Sequence, residues 1–129
     1  MKHRHTFICL GSAFALTAVV LGAFGAHALK VILLERGTLE TWKTAVDYHM
    51  WHALGLLILA NLPLNDKIAR FCRNSFCLGI FLFSGSLYAL ALGAPNWLGP
   101  ITPLGGLCFI VGWGLLAWKS CKPPVNATN

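Results

Sequence analysis

The stretch TFICLGSAFALTAVVLGAFGAHAL, Thr6–Leu29, carries no charged side chain and a single histidine near its end. At about 1.5 Å per residue, a helix of this length crosses a hydrocarbon core of about 30 Å. Three more apolar blocks follow, Val46–Leu64, Ser75–Leu92 and Ile101–Trp118. Lipid offers the backbone no water, so each block must satisfy its own N–H and C=O groups, and near-continuous apolar character favours helices over barrel strands. The pattern predicts an all-α integral membrane four-helix bundle, a single domain over 1–129 with spans at about 6–29, 46–64, 75–92 and 101–118.

Composition agrees. Hydrophobic residues make up 57% of the 129 and charged residues 11%, against about 25% charged in a soluble domain, which leaves too little polar surface to coat a globule. The net charge of +6 does not point to nucleic acid, because the basic residues flank the apolar blocks instead of gathering on one face. Lys2 and Arg4 precede the first block, Lys67, Arg70 and Arg73 join the second to the third, and Lys119 and Lys122 follow the fourth. The other side receives only Lys30, Arg36 and Lys43. The positive-inside bias therefore predicts that both termini and the Asp66–Arg73 loop are cytoplasmic.

Ala26-His27-Ala28 has the small-x-small form of a signal-peptidase site, but the apolar run before it is far longer than the usual 7–15 residues, so no cleavage is expected. Asn126-Ala127-Thr128 matches a glycosylation acceptor and is inert on the cytoplasmic side. Cys9, Cys72, Cys77, Cys108 and Cys121 lie in spans or cytoplasmic segments, so no disulfide framework is expected. The four-residue gap between Cys72 and Cys77 is not a zinc spacing.

Gly11, Ala15, Ala18, Gly22 and Gly25 alternate at spacings of four and three and fall on one stripe of the first helix. A stripe of small residues admits a neighbouring backbone closely enough for dispersion contacts to hold it, either within the chain or in a homo-oligomer. Gly37-Thr38 supplies a breaker and a cap for the second helix, whose span opens on the polar cluster Asp47-Tyr48-His49-Met50-Trp51-His52. Ser84-Gly85-Ser86 interrupts the third, and Thr102-Pro103 reads as the cap and first residue of the fourth. Trp42, Trp97 and Trp118 sit near predicted boundaries, as interfacial belt residues do.

Leu21-Gly22-Ala23-Phe24-Gly25-Ala26-His27, Tyr48 four residues before His52, Phe83-Ser84-Gly85-Ser86-Leu87-Tyr88 and Thr102-Pro103-Leu104-Gly105-Gly106, in that order, resemble the YgdD family of small inner-membrane proteins. The resemblance implies a four-helix protein of the bacterial inner membrane, of unestablished function and without a catalytic assignment. It matches His27, Tyr48, His52, Ser84, Ser86, Tyr88 and Thr102, whereas at His49 members of that family can carry glutamine.

With the termini inside, His52 and Tyr88 come out at one depth in the outer half of the bundle, roughly 6–7 Å from their span midpoints. Tyr48 shares a helix face with His52, and Ser84 with Tyr88, so a polar seam Tyr48–His52–Tyr88–Ser84 is expected, with His27 nearer the boundary. Such a seam is either an interhelical clamp or a ligand or proton site. Metal ligation by His27, His49 and His52 is a further alternative that requires His27 to reach across a difference in level. No nucleophile–base pair, paired carboxylates or phosphate-cradling loop stands out, so neither an enzyme nor a cofactor is expected. The remaining classes are a structural or accessory membrane protein and a small transporter or ligand-binding protein. The expected partners are the lipid bilayer and a second copy or another membrane protein, with no nucleic acid.

Overall fold

The computed structural model describes residues 4–121; Lys2, Lys122 and the Asn126–Thr128 acceptor lie outside them. The described residues form six α-helices: α1 (Arg4–Ala26), α2 (Lys30–Glu35), α3 (Leu39–Leu59), α4 (Asp66–Gly79), α5 (Gly85–Ala91) and α6 (Ile101–Ser120). A π-turn at Ile80–Ser84 joins α4 to α5, and a 3-10 turn at Asn96–Leu98 precedes α6. Among the described residues, three helical stretches are long and apolar enough to cross a membrane, Arg4–Ala26, Asp66–Ala91 and Asn96–Ser120. Helix α3 is 21 residues long, but Glu40, Lys43 and Asp47 in its first half make it too polar to join them.

The helices follow one another in space as α1, α3, the α4–π–α5 stretch and α6. The small-residue stripe of α1 packs on α3. A methyl at Gly11 would come within 2.8 Å of Leu57 Cδ2 and 3.0 Å of the Ala53 carbonyl, and one at Gly25 would run into the Trp42 indole. Glycine admits the larger side chain at each place. At Gly22 the contact is looser, 3.3 Å to Val46 Cγ1. Helix α6 repeats the device seven residues apart: Gly105 lies against the Phe83 backbone and Gly112 against the Phe76 ring. The main core gathers Phe7, Leu56, Leu59, Cys72, Phe76 and Phe109.

Several local expectations change. Asp66–Arg73 is no loop but the first two turns of α4, started by Asn65, whose side-chain oxygen accepts the Ile68 N–H at 2.9 Å. Ala69, Cys72 and Phe76 recur at helical spacing and bury one face, so Lys67 and Arg70 fall on the exposed one. Helix α3 closes at Leu59, before Leu62-Pro63-Leu64. Thr38 occupies the N-cap position of α3, yet its hydroxyl donates to the Ala91 carbonyl at 2.8 Å and leaves the helix's own first N–H groups uncapped by a side chain. Thr102 lies inside α6, after an N-cap at Pro100. Trp42 is only 3% exposed and gives its indole N–H to the Leu21 carbonyl at 2.9 Å, so it is an interhelical tie and not a belt residue. Trp97 and Trp118 are exposed.

Candidate functional site

Helix α3 carries two buried histidines three residues apart, and they serve different neighbours. His52 points toward α6. Its Nε2 lies 3.0 Å from Trp113 Nε1 and its Nδ1 2.7 Å from the Tyr48 carbonyl. An indole N–H can only donate, so Nε2 accepts and the ring proton sits on Nδ1, donated to Tyr48. The partners thereby assign one neutral tautomer. The ring also stacks on Phe109, centroids 3.4 Å apart and planes within 10°.

His49 meets different neighbours, on α1 and α5. Its Nδ1 lies 3.2 Å from the Tyr88 hydroxyl and its Nε2 3.3 Å from Thr17 Oγ1. Thr17 Oγ1 also lies 3.1 Å from the Ala13 carbonyl and 3.0 Å from that of Phe14. One assignment uses every proton: Tyr88 donates to His49 Nδ1, His49 Nε2–H donates to Thr17, and Thr17 donates back to its own helix.

The expected seam is therefore divided. His52 does not meet Tyr88; His49 does. The estimated depths agreed, but depth does not fix azimuth: a step of three residues offsets a helix side chain by a net of about 60°, and the π-turn adds about another 100° before Tyr88. The ring of Tyr48 lies with Trp51, Phe83 and Phe109 on the α6 side. Ser84 is fully buried with no hydrogen-bond partner for its hydroxyl. Ser86 instead lies 2.6 Å from the Thr102 hydroxyl, with its oxygen 2.9 Å from the Phe83 carbonyl, tying α5 to α6. His27 is exposed just past the end of α1. The three-histidine metal alternative fails, because His49 and His52 diverge and, among the described residues, no three His, Cys, Asp or Glu side chains form a candidate metal group.

Two openings border these histidines. A cleft of about 340 Å³ separates α1 from the π-turn and α5, with Thr17, His49 and Tyr88 in its lining beside Phe14 and Phe81. A groove of about 620 Å³ lies between α3 and α6, lined by Tyr48, His52, Phe83, Phe109 and Trp113. Sequence reasoning missed Thr17 and Trp113. Both carry a signal: a tryptophan or threonine deep in an apolar helix needs a partner for its polar atom.

An all-helical chain with three membrane-length apolar stretches and buried histidines tied between its helices is a helical membrane protein. It belongs to the family described as "Protein of unknown function (DUF423)", which matches residues 21–106. It is 45% identical over 121 residues to the UPF0382 membrane protein YwdK of Bacillus subtilis, covering 90% of this chain and 96% of that one. A UPF0382 membrane protein of Haemophilus influenzae is 44% identical over 124 residues, covering 95% and 97%. One from Schizosaccharomyces pombe is 35% identical over 106 residues, covering 78% and 89%. No solved structure matches the chain.

Proposed function

We propose that the chain is a four-span protein of the bacterial inner membrane, with α3 as the fourth span, and that it acts as a non-enzymatic structural or accessory component. The observation that carries the non-enzymatic reading is the saturation of the buried histidines: all four ring nitrogens are engaged by groups of this same chain. A general acid or base needs a nitrogen that can reach substrate. The resemblance to YgdD-type proteins supports the inner-membrane location.

The orientation proposed is that of the sequence reading, with both termini and Asp66–Arg73 cytoplasmic. The charges support it: Arg4 donates to Asn61 Oδ1 at 2.7 Å and the Arg73 guanidinium lies 5.5 Å from the Phe7 ring centroid, which brings the start of α1, the end of α3 and the start of α4 to one end. That end collects Arg4, Lys67, Arg70 and Arg73 against Asp66 alone, whereas Lys30, Arg36 and Lys43 at the other are balanced by Glu35, Glu40 and Asp47. Cys121 is exposed and is the probe of choice; Cys72 is fully buried and reports nothing. A membrane-impermeant thiol reagent should leave Cys121 unmodified in intact cells of a Cys9→Ala/Cys77→Ala/Cys108→Ala variant and modify it after the membrane is opened; modification in intact cells overturns the orientation. For the accessory role, affinity isolation in a gentle detergent should recover a membrane protein or a second copy at fixed stoichiometry. A lone monomer overturns it.

A further inference from the structure

The end of the molecule that gathers Arg4, Lys67, Arg70 and Arg73 uses its cations unequally. Arg4 is bonded to Asn61 Oδ1. Arg73 donates from Nε and Nη2 to Asn74 Oδ1 at 3.1 and 2.9 Å and lies over the Phe7 ring. Lys119, in the last turn of α6, joins the same end, because α6 runs antiparallel to α4, with Gly105 on Phe83 and Gly112 on Phe76. Its ammonium sits 4.5 Å from the Trp118 ring centroid. Lys67 and Arg70 are left. Both are exposed, and among the described residues neither has a hydrogen-bond or ion-pair partner. Asp66, the single described carboxylate at this end, stands one turn before Arg70 and makes no ion pair with it.

These two cations head a groove of about 420 Å³ between α4 and α6, lined by Phe71, Asn74 and Leu78 on one side and by Leu107 and Val111 on the other. Lys67, Arg70 and Asn74 recur at spacings of three and four, so they share the α4 face that carries Phe71 and Leu78. A guanidinium can only donate, so the Asn74 atom that meets Arg73 is its oxygen, and its NH2 group has no partner among the described residues. The head of the groove thus offers an ammonium, a guanidinium and an amide NH2, which are donors only, two of them charged. Below it the walls are hydrocarbon: Phe71, Leu78, Leu107 and Val111 are all exposed. Ser75, also in the lining, packs its Cβ against Gly112.

Depth puts this head where a lipid keeps its phosphate. The uncharged block Ser75–Leu92 makes roughly 27 Å of helix, close to the thickness of a hydrocarbon core. Asn74 therefore lies at the hydrocarbon edge and Arg70 one turn farther out, in the headgroup layer, where long basic side chains reach phosphates. A head of donors above hydrocarbon walls selects an amphiphile whose polar part is anionic. A choline or ethanolamine group would set its own cation against Lys67 and Arg70.

We propose that this groove binds one anionic phospholipid, its phosphate held by Lys67, Arg70 and Asn74 and an acyl chain lying along Phe71, Leu78, Leu107 and Val111. The inference rests on the membrane reading of the α4–π–α5 stretch and α6. It is independent of which side is cytoplasmic and of α3 as a span, so the thiol-labelling experiment can fail without it.

The test uses the purified full chain in a neutral detergent, titrated with phosphatidylglycerol, while native mass spectrometry counts bound lipid and thermal unfolding reads stability. Phosphatidylglycerol should bind at one per chain and raise the midpoint saturably, and phosphatidylcholine with the same acyl chains should bind more weakly. Glycerol 3-phosphate, the anion without chains, should give no shift. Lys67→Gln and Arg70→Gln, at exposed positions without partners, should each weaken phosphatidylglycerol about fivefold, and together they should erase its preference over phosphatidylcholine. Lys30→Gln/Arg36→Gln removes the same charge from the other end and should leave the preference intact. Val111→Trp crowds the groove from an exposed position and should weaken phosphatidylglycerol while the midpoint without lipid stays. Equal binding of the two lipids, an equal loss of preference in Lys30→Gln/Arg36→Gln, an undiminished affinity in Val111→Trp, or a shift of the same size with glycerol 3-phosphate overturns the proposal.

Discussion

Trp113 donates its indole N–H to Nε2 of His52 across 3.0 Å, from the middle of α6 to the middle of α3. The two helices do not pack backbone to backbone there; the ring of Phe109, stacked on His52, fills the space between them. The connection between α3 and α6 is thus made by side chains, and a few named atoms carry it.

Replacing Trp113 by Phe removes that donor and leaves the His52 acceptor unpaired. The expected loss of stability is about 1–2 kcal/mol, in the range found for interhelical bonds in membranes. His52→Phe should cost a similar amount by stranding the indole N–H. The double variant should lose clearly less than the sum, as measured by reversible unfolding in mixed detergent.

The division of the polar seam is tested by two cycles sharing one variant. Tyr88→Phe combined with His49→Phe should be non-additive, because both remove the 3.2 Å contact. Combined with His52→Phe it should be additive within about 0.5 kcal/mol. His49→Gln, which keeps a donor and an acceptor, should recover part of what His49→Phe loses. Coupling between Tyr88 and His52 in place of His49 would contradict the geometry.

The glycines should rank by what a methyl would meet. Gly25→Ala drives into Trp42, and Gly11→Ala into Leu57 and the Ala53 carbonyl; each should cost about 1–3 kcal/mol. Gly22→Ala, facing only Val46 Cγ1 at 3.3 Å, should cost less. Gly114 has no heavy atom within 4 Å of the added methyl, and Gly114→Ala should be neutral or stabilise by up to about 1 kcal/mol. Thermal midpoints of the four variants check the order.

Ser84 and Ser86 should respond in opposite senses. Ser84 buries a hydroxyl with no partner, so Ser84→Ala should be neutral or mildly stabilising, since nothing is lost when an unpaired polar atom leaves an apolar site. Ser86→Ala breaks the 2.6 Å contact with Thr102 and should cost about 1 kcal/mol. Equal losses at both positions would show that Ser84 has a partner after all.

Helical class was legible because it follows from block length and apolar content alone. The stripe on α1 was legible for a related reason: spacings of three and four report azimuth directly. Three features were not. Val46–Leu64 reads as a span, yet that block shares one continuous helix with Glu40, Lys43 and Asp47 and the helix closes at Leu59, so α3 is not among the three apolar membrane-length stretches. The start of α4 hid behind its basic residues, although Asn65-Asp66 is a capping signal. The pairing of His49 with Tyr88 depended on the azimuth of two helices and on a π-turn between α4 and α5, which leaves no period in the sequence. Counting residues from span midpoints yields height in the membrane, and height does not choose between two histidines one turn apart.

The layout of the glycines bears on how the chain assembles. Gly11 and Gly25 close α1 onto α3, and Gly105 and Gly112 close α6 onto the α4–π–α5 stretch, so each contact joins consecutive long segments of the chain. The first hairpin can complete its tightest packing while the second is still on the ribosome, and the second can do the same without waiting for the first. What remains afterwards is the docking of two finished hairpins, for which His49–Tyr88 and Thr38–Ala91 provide the latches. The turn at Asn61–Asn65 between the hairpins is the natural place to divide the molecule into two pieces that find each other again in the bilayer.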